Sequence, residues 1–331
     1  MNRPFSPRPG HDHRASDRSA PAIGDTVVGV DVGGTKIAVA VLAGDGLGRP
    51  VTHRTDTSSP DALVDQLVEV IGEAGEASAV GVAVPSVVDF ESGRVRASVN
   101  VPLADIALRE VLQERTGMPV YVDNDATCAA LAEAYDSDGA LVAGHLVMLT
   151  IGTGVGGGIV INGRVYRGAT GAAAEIGHTI IGADLSRAPF DEGDDFPLPG
   201  SLEALAAGST LTQIAREHGI PDGQTVRLGL EGDEAACAAI ELLGRRLGVG
   251  IANVINTFDP DLVVVGGGIS AAGDLLLAPA REQAARFTLT GVGTRTQICA
   301  ARYGPEAGVR GAALLARHEQ EGVTSSGGRR S

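Results

Sequence analysis

Three kinds of segment carry side chains at spacings suited to moving a phosphoryl group and a proton. The first is a pair of glycine-rich loops, Asp31-Val32-Gly33-Gly34-Thr35-Lys36 and Gly152-Thr153-Gly154-Val155-Gly156-Gly157-Gly158. Glycine lets backbone N–H groups approach an anion closely and curl around it. Lys36 is the only lysine of the chain, and it adds a compact positive charge to the first loop. The second is Asp123-Asn124-Asp125, where an apolar run gives way to a helical pattern. A carboxylate here reads as a general base held ionised by a helix N-terminus, or as an ordinary helix cap. The third is Glu175-Ile176-Gly177-His178, which reads as a metal pair or a surface turn; no second histidine completes an HExxH site.

Other chemistries lack their residues. Gly152–Gly157 spells GxGxxG, but a dinucleotide loop must open a helix, and here Ile159-Val160-Ile161 resumes a strand. A P-loop needs a Gly-Lys pair, which the chain does not contain. Gly200-Ser201-Leu202-Glu203 is not the GxSxG elbow of a serine hydrolase.

The elements that must position these residues repeat. Strand patterns at Thr26–Val32 and Ile37–Leu42 flank the first loop, and Leu146–Ile151 and Ile159–Tyr166 flank the second. A helix over Pro60–Ala74, a strand Ala79–Val84, a helix over Ala104–Thr116, a strand Val120–Val122 and a helix Asp125–Tyr135 follow the first hairpin. A helix near Glu234–Asn256, a strand Asp261–Val265 ended by Gly266-Gly267-Gly268, a helix near Ala271–Arg286, a strand Gln297–Ala301 and a helix from about Glu306 to Arg317 follow the second. The expected fold class is α/β: two duplicated lobes, each led by a β-hairpin, with a central cleft that would hold the ligand. Residues 1–22 and 319–331 are expected as disordered tails, 23–123 with the C-terminal helix 305–318 as the small lobe, and 124–304 as the large lobe.

Composition narrows the partners. The chain has 331 residues, a formal net charge of −15 and a pI near 4.8. That balance argues against sequence-independent nucleic-acid binding, which needs basic surface. Residues 1–22 carry no apolar run, so neither a secretory leader nor a membrane span is expected, and a cytoplasmic location is. Cys128, Cys237 and Cys299 lie far apart, without metal or disulfide spacing, and are expected as inert thiols. Tryptophan is absent, so a ligand site must rely on hydrogen bonds more than on stacking.

Taken together, the pieces resemble the ROK family of bacterial sugar kinases, over nearly all of Thr26–Arg317. DVGGTK at 31–36 and GTGVGGG at 152–158 are similar to its phosphate motifs, and VDNDA at 122–126 to its catalytic segment. GATGAAAEIGH at 168–178 is similar to its sugar signature, GSLEALAAG at 200–208 to the segment after its zinc cluster, and VVVGGGIS at 263–270 to its adenosine motif. The resemblance implies the actin-like, hexokinase-type ATPase fold and an ATP-dependent kinase of a hexose, glucose first, forming the 6-phosphate. It implies Asp125 as general base, and Asn100, Asn124, Glu175, His178 and Glu203 as sugar contacts. Gly33, Gly34, Thr35, Lys36, Gly152, Thr153 and Gly154 would hold phosphates, Gly267 and Gly268 would pack near adenosine, and Asp31 would help position Mg²⁺–ATP indirectly. A homodimer is implied as well.

The chain departs from the family pattern at its zinc cluster. The three cysteine positions before Leu202-Glu203 hold Asp194, Phe196 and Ser201, so no structural zinc is expected. The loop must then be supported otherwise, with Phe190 and Phe196 as candidates. Ala174 and Ser86 stand where the pattern has glycine. Within the family's range, N-acetylmannosamine, fructose, allose or a cyclitol are alternative acceptors and polyphosphate an alternative donor. A sugar-sensing regulator is the less expected alternative: it would need an N-terminal helix-turn-helix domain, and the about 22 residues before the first strand are expected to be disordered.

Overall fold

The computed structural model describes residues 26–44, 46–98, 100–183 and 196–327. The chain runs β1 (Thr26–Val32), β2 (Lys36–Ala43), β3 (Gly46–Leu47), β4 (Val51–Arg54), α1 (Pro60–Glu73), β5 (Ala79–Val84), the hairpin β6 (Ser86–Asp89) and β7 (Arg94–Ser98), α2 (Leu108–Thr116), β8 (Val120–Asn124) and α3 (Asp125–Ala134). It then repeats the opening with β9 (His145–Ile151), β10 (Val155–Ile161) and β11 (Arg164–Val165). Helices α4 (Leu202–Ala206), α5 (Gly208–Glu217), α6 (Thr225–Leu230) and α7 (Glu234–Phe258) come next, then β12 (Leu262–Gly266), α8 (Asp274–Phe287), β13 (Gln297–Ala300) and α9 (Ala307–Gly327).

The two sheets are built alike. One is ordered β3-β2-β1-β5-β8, with β4 also on β2; the other is ordered β11-β10-β9-β12-β13. In each, an antiparallel hairpin (β1–β2, β9–β10) is followed by two parallel strands (β5 and β8, β12 and β13). The sixth residue of the leading strand, Asp31 in one and Thr150 in the other, faces the fifth residue of the parallel neighbour, Ala83 and Gly266. The duplication expected from the two glycine loops is therefore present strand by strand. Parallel strands buried on both faces need continuous apolar runs, and β5 (AVGVAV) is buried at every position.

Helices α3 and α9 join the halves. Cys128 and Leu131 of α3 and residues Ala312 to Ala316 of α9 form one core with Val27, Ala79 and Ala83 of the first sheet. Ala129, Ala130 and Ala134 of α3 pack on Leu146, Met148 and Val160 of the second. Small side chains set this spacing. A methyl on Gly81 would run into the Ala312 carbonyl of α9, and one on Gly158 would lie 2.6 Å from the Ala126 carbonyl of α3. This corrects the reading of 152–158 as one phosphate loop: Gly156, Gly157 and Gly158 belong to β10, where Gly156 makes room for the Thr150 hydroxyl and Gly157 and Gly158 for the Ala174 and Ala126 carbonyls, which leaves Gly152–Gly154 as the turn.

Several elements differ from expectation: β10 spans Val155–Ile161 where Ile159–Tyr166 was expected, and α8 starts at Asp274. The helix expected from Ala104 starts at Leu108, and the β6–β7 hairpin was not anticipated. Helix α9 runs to Gly327, so the tail expected from residue 319 is helical to that point; there Gln320 Oε1 accepts from the Ser78 hydroxyl at 2.9 Å and its Nε2 donates to the Ser78 carbonyl at 2.7 Å. The expected tail 1–22, Phe190 and Asp194 lie outside the described residues.

Candidate active site

The turns at the ends of β9 and β12 and the start of α3 open into one cleft of about 570 Å³. It is lined by Asn124 from the end of β8, Asp125 from α3, Gly152, Thr153 and Gly154 from the second glycine turn, Glu175 and His178 from the segment after β11, Glu203 from α4, and Asn100 and Gly267. Ten of the residues expected to act thus share one wall-to-wall space. Asp31, Gly33, Gly34, Thr35, Lys36 and Gly268 do not line it. The first loop flanks the cleft instead: a methyl on Gly34 would lie 3.0 Å from the Asn100 carbonyl.

The cap reading of Asp123-Asn124-Asp125 falls on Asn124, and the carboxylate at Asp125 is not held ionised as expected, since burial raises it. Asn124 is the cap of α3, its Oδ1 accepting from Thr127 N–H at 3.1 Å, while its amide donates to the Ser86 carbonyl at 3.3 Å. Asp125 is therefore the first helical residue and is free to face the cleft. Its carboxylate accepts only locally, from Ala126 N–H at 2.7 Å. Burial pushes its carboxyl above the usual range and outweighs the backbone N–H donors that pull it down. A base shifted toward neutrality is better matched to accepting a hydroxyl proton.

Burial raises the carboxyls of Asp123 and Asp31 as well; of these, Asp31 lies nearest the first glycine loop in the chain. It lies over the first turn of α9, where a methyl on Gly308 would collide with it. Burial first, and then the charge of Asp125, raise it from 3.8 to about 7, against the pull of Lys36. The site thus holds more negative potential than its own cation neutralises. Hard oxygen donors beside exposed N–H groups suit Mg²⁺ carried on phosphates.

The glycine turns are braced from outside. Gly33 N–H donates to the Lys36 carbonyl at 2.9 Å, and Thr55 Oγ1 donates to the Gly33 carbonyl at 2.6 Å. In the second turn Gly208 N–H donates to the Gly152 carbonyl at 2.8 Å, and Val155 N–H donates to Glu203 Oε2 at 2.7 Å. Glu203 therefore braces the second glycine turn while also lining the cleft.

The segment carrying Glu175 and His178 is held by backbone. Leu202 N–H donates to the Thr179 carbonyl at 2.8 Å, and Ile181 N–H to the Gly200 carbonyl at 2.8 Å, which straps it to the start of α4. His178 Nε2 lies 3.7 Å from Glu175 Oε2, and its ring meets Phe196 edge-on with centroids 5.2 Å apart. At two of the three positions where the family pattern has cysteine, Phe196 thus packs on His178 and buried Ser201 caps α4, accepting from Ala204 N–H at 3.2 Å. These donors do not fit zinc. Among the described residues no group of three His, Cys, Asp or Glu is placed to hold a metal ion.

Sequence reasoning missed Thr55 and Arg167. Neither lies in a glycine or carboxylate motif, and each acts through a partner 22 or 44 residues away. Cys128 is buried, and burial raises its thiol well above 9, in keeping with an inert role. Among the described residues no helix is long and apolar enough to cross a membrane.

Comparison with known proteins agrees with this geometry. A sequence model described as ROK family matches residues 27–319. A glucokinase of Halalkalibacterium halodurans is 32% identical, covering 89% of this chain and 96% of its own. An N-acetyl-D-glucosamine kinase of Escherichia coli O157:H7 is 36% identical over 87% of this chain and 98% of its own. Among solved structures, a ROK family glucokinase from Streptomyces griseus in complex with glucose and AMPPNP superposes with a TM-score of 0.73 at 31% identity, covering 88% of this chain and 99% of that one.

Proposed function

The chain belongs to the ROK family and is a sugar kinase, and on that premise we propose that it transfers the γ-phosphoryl group of ATP to a hexose hydroxyl, glucose giving glucose 6-phosphate, with Asp125 as general base. One observation carries the reading: the half-buried Asp125, the Glu175–His178–Glu203 group and the Gly152–Gly154 turn face one cleft. Asn100, Asn124, Glu175, His178 and Glu203 bind the sugar hydroxyls. Asp125 orients the attacking hydroxyl and takes its proton. Gly152–Gly154 and Gly33–Lys36 hold the phosphates, and Gly267 and Gly268 pack by the adenosine. Asp31 is the residue that would place Mg²⁺, which when bound supplies charge neutralisation on the phosphates.

The lobe of residues 23–123 with 305–318 closes on that of 124–304 and excludes water from the transfer. No structural zinc is required, since backbone straps and Phe196 support His178. The enzyme acts as a homodimer in the cytoplasm. The proposal is tested by a coupled assay with Mg²⁺–ATP over glucose, N-acetylglucosamine, N-acetylmannosamine, fructose, allose and a cyclitol. Glucose as the acceptor with the highest kcat/KM supports it. Another sugar in that place refutes the glucose assignment, and absence of turnover with all of them refutes the mechanism.

A further inference from the structure

One charged side chain beside the cleft ties together elements that the reaction needs to move as a unit. Arg167 directly precedes the signature 168–178. Its Nε donates to Asp123 Oδ2 at 2.7 Å, and Asp123 is 2% exposed. The other oxygen of Asp123 accepts from Asn124 N–H at 2.9 Å. The anchor therefore sits one residue before the cap and two before the base. The guanidinium carbon of Arg167 lies 3.4 Å from the ring centroid of Phe90, at the tip of the β6–β7 hairpin. A guanidinium is planar and can serve a carboxylate at its edge and an aromatic ring on its face together, which an ammonium cannot do. Its Nη2 reaches Glu319 of α9 at 3.4 Å.

The backbone continues the junction. The Arg167 carbonyl accepts from Ala173 N–H at 3.1 Å and closes the first turn of the signature. Gly171 in that turn has φ +83°, and a methyl there would strike the Val88 carbonyl of β6. The signature, the hairpin and the strand end that presents Asp125 thus meet at one side chain.

We propose that Arg167 is a positioning residue for phosphoryl transfer: through Asp123 it fixes the turn that aims Asp125, and through Phe90 it keeps the sugar signature and the β6–β7 hairpin in register with that base. This rests on the reading of Asp125 as the base. Among the described residues no hydrogen bond joins Arg167, Asp123 or Phe90 to Gly33–Lys36 or Gly152–Gly154, so loss of the junction acts on the sugar side and on kcat.

The test uses the full-length protein and begins with the wild type and Asp125→Asn. A wild type without sugar kinase activity, or an Asp125→Asn variant that keeps it, overturns the functional reading and this inference with it. Arg167→Met and Arg167→Lys are then compared by steady-state kinetics and thermal melting. Misplacing a base by a fraction of an ångström to 1 Å predicts a fall in kcat of about 10- to 100-fold for Arg167→Met. The KM for sugar rises and the KM for ATP stays within about twofold. Arg167→Lys keeps a charge opposite Asp123 but loses the face on Phe90, so its melting temperature recovers while kcat stays at least about fivefold low. A folded Arg167→Met with wild-type kcat overturns the inference. So does an Arg167→Lys whose kcat returns to wild type together with its melting temperature, because the role is then stability alone. If Arg167→Met does not fold, the kcat of Arg167→Lys decides by the same criterion.

Discussion

Asp31→Asn should make the protein more stable at neutral pH while removing its activity, and the size of the gain should depend on pH. Asp31 is raised from 3.8 to about 7 in the folded chain, chiefly by burial. Between those values the folded state holds a proton that the unfolded state has lost. Stability contributed by Asp31 is therefore fully present below about pH 4, falls as pH rises, and is gone above pH 7. Moving a carboxyl over that range corresponds to about 4 kcal/mol as a ceiling. Relaxation of the fold and water penetration around the charge bring this to about 2 kcal/mol. At a melting entropy of about 2 cal/mol/K per residue, that is a gain of about 3 °C for Asp31→Asn at pH 8. The gain should shrink toward zero as the pH approaches 4. The assay is thermal unfolding of both proteins from pH 4 to 8, reading the difference at each pH so that every other titrating group cancels. A difference that stays flat across the range, or is largest at pH 4, would refute the argument that Asp31 is held at a cost. The cost has a purpose in the proposed reaction, since a desolvated carboxylate is what a metal–nucleotide complex would relieve.

Further outcomes follow from the same geometry. Asp125→Ala should lower kcat by about 10²–10⁴ and leave the melting temperature nearly unchanged, because its carboxylate accepts only a local N–H in the resting fold; steady-state kinetics beside circular dichroism checks this. Glu203→Ala removes a carboxylate proposed to bind a sugar hydroxyl, and losing a charged hydrogen bond of about 1.5–3 kcal/mol to that hydroxyl predicts a rise of about 10- to 100-fold in the KM for sugar. Gly81→Ala, remote from the cleft, forces α9 off the sheet and should cost about 3 kcal/mol or more, read as a loss in urea midpoint. Prolonged EDTA treatment should leave the melting temperature unchanged and elemental analysis should find no stoichiometric zinc; one zinc per chain would overturn the account of how His178 is supported.

Much of the architecture could be read from sequence because each lobe opens with an alternating β-branched run on both sides of a glycine turn. The hairpins β1–β2 and β9–β10, the long helix α7 and the helix opened by Asn124 came out within a few residues. The β6–β7 hairpin did not, since Ser86–Asp89 and Arg94–Ser98 are short and carry little apolar alternation. Gly156–Gly158 read as loop because local sequence does not reveal what will pack on them: the Thr150 hydroxyl on Gly156, the Ala174 carbonyl on Gly157 and α3 on Gly158. The site was legible where its residues form motifs, as at Gly152–Gly154, Asp125 and Glu175–His178. It was not legible where function depends on a distant partner. Asp31 is desolvated against Gly308, and Arg167 meets Asp123, Phe90 and Glu319 from three parts of the chain. No local periodicity encodes such meetings; they arise where α9, which carries both Gly308 and Glu319, and the end of β8 are brought beside β1 and the segment after β11.

The central claim is that Asp125 takes the proton from a sugar hydroxyl in this cleft, and product formation by wild type and Asp125→Asn side by side tests it most directly. With glucose and Mg²⁺–ATP, the wild type should form glucose 6-phosphate and Asp125→Asn should bind both substrates with nearly unchanged affinity while turning over at least about 100-fold more slowly. An Asp125→Asn enzyme with wild-type turnover would contradict the account.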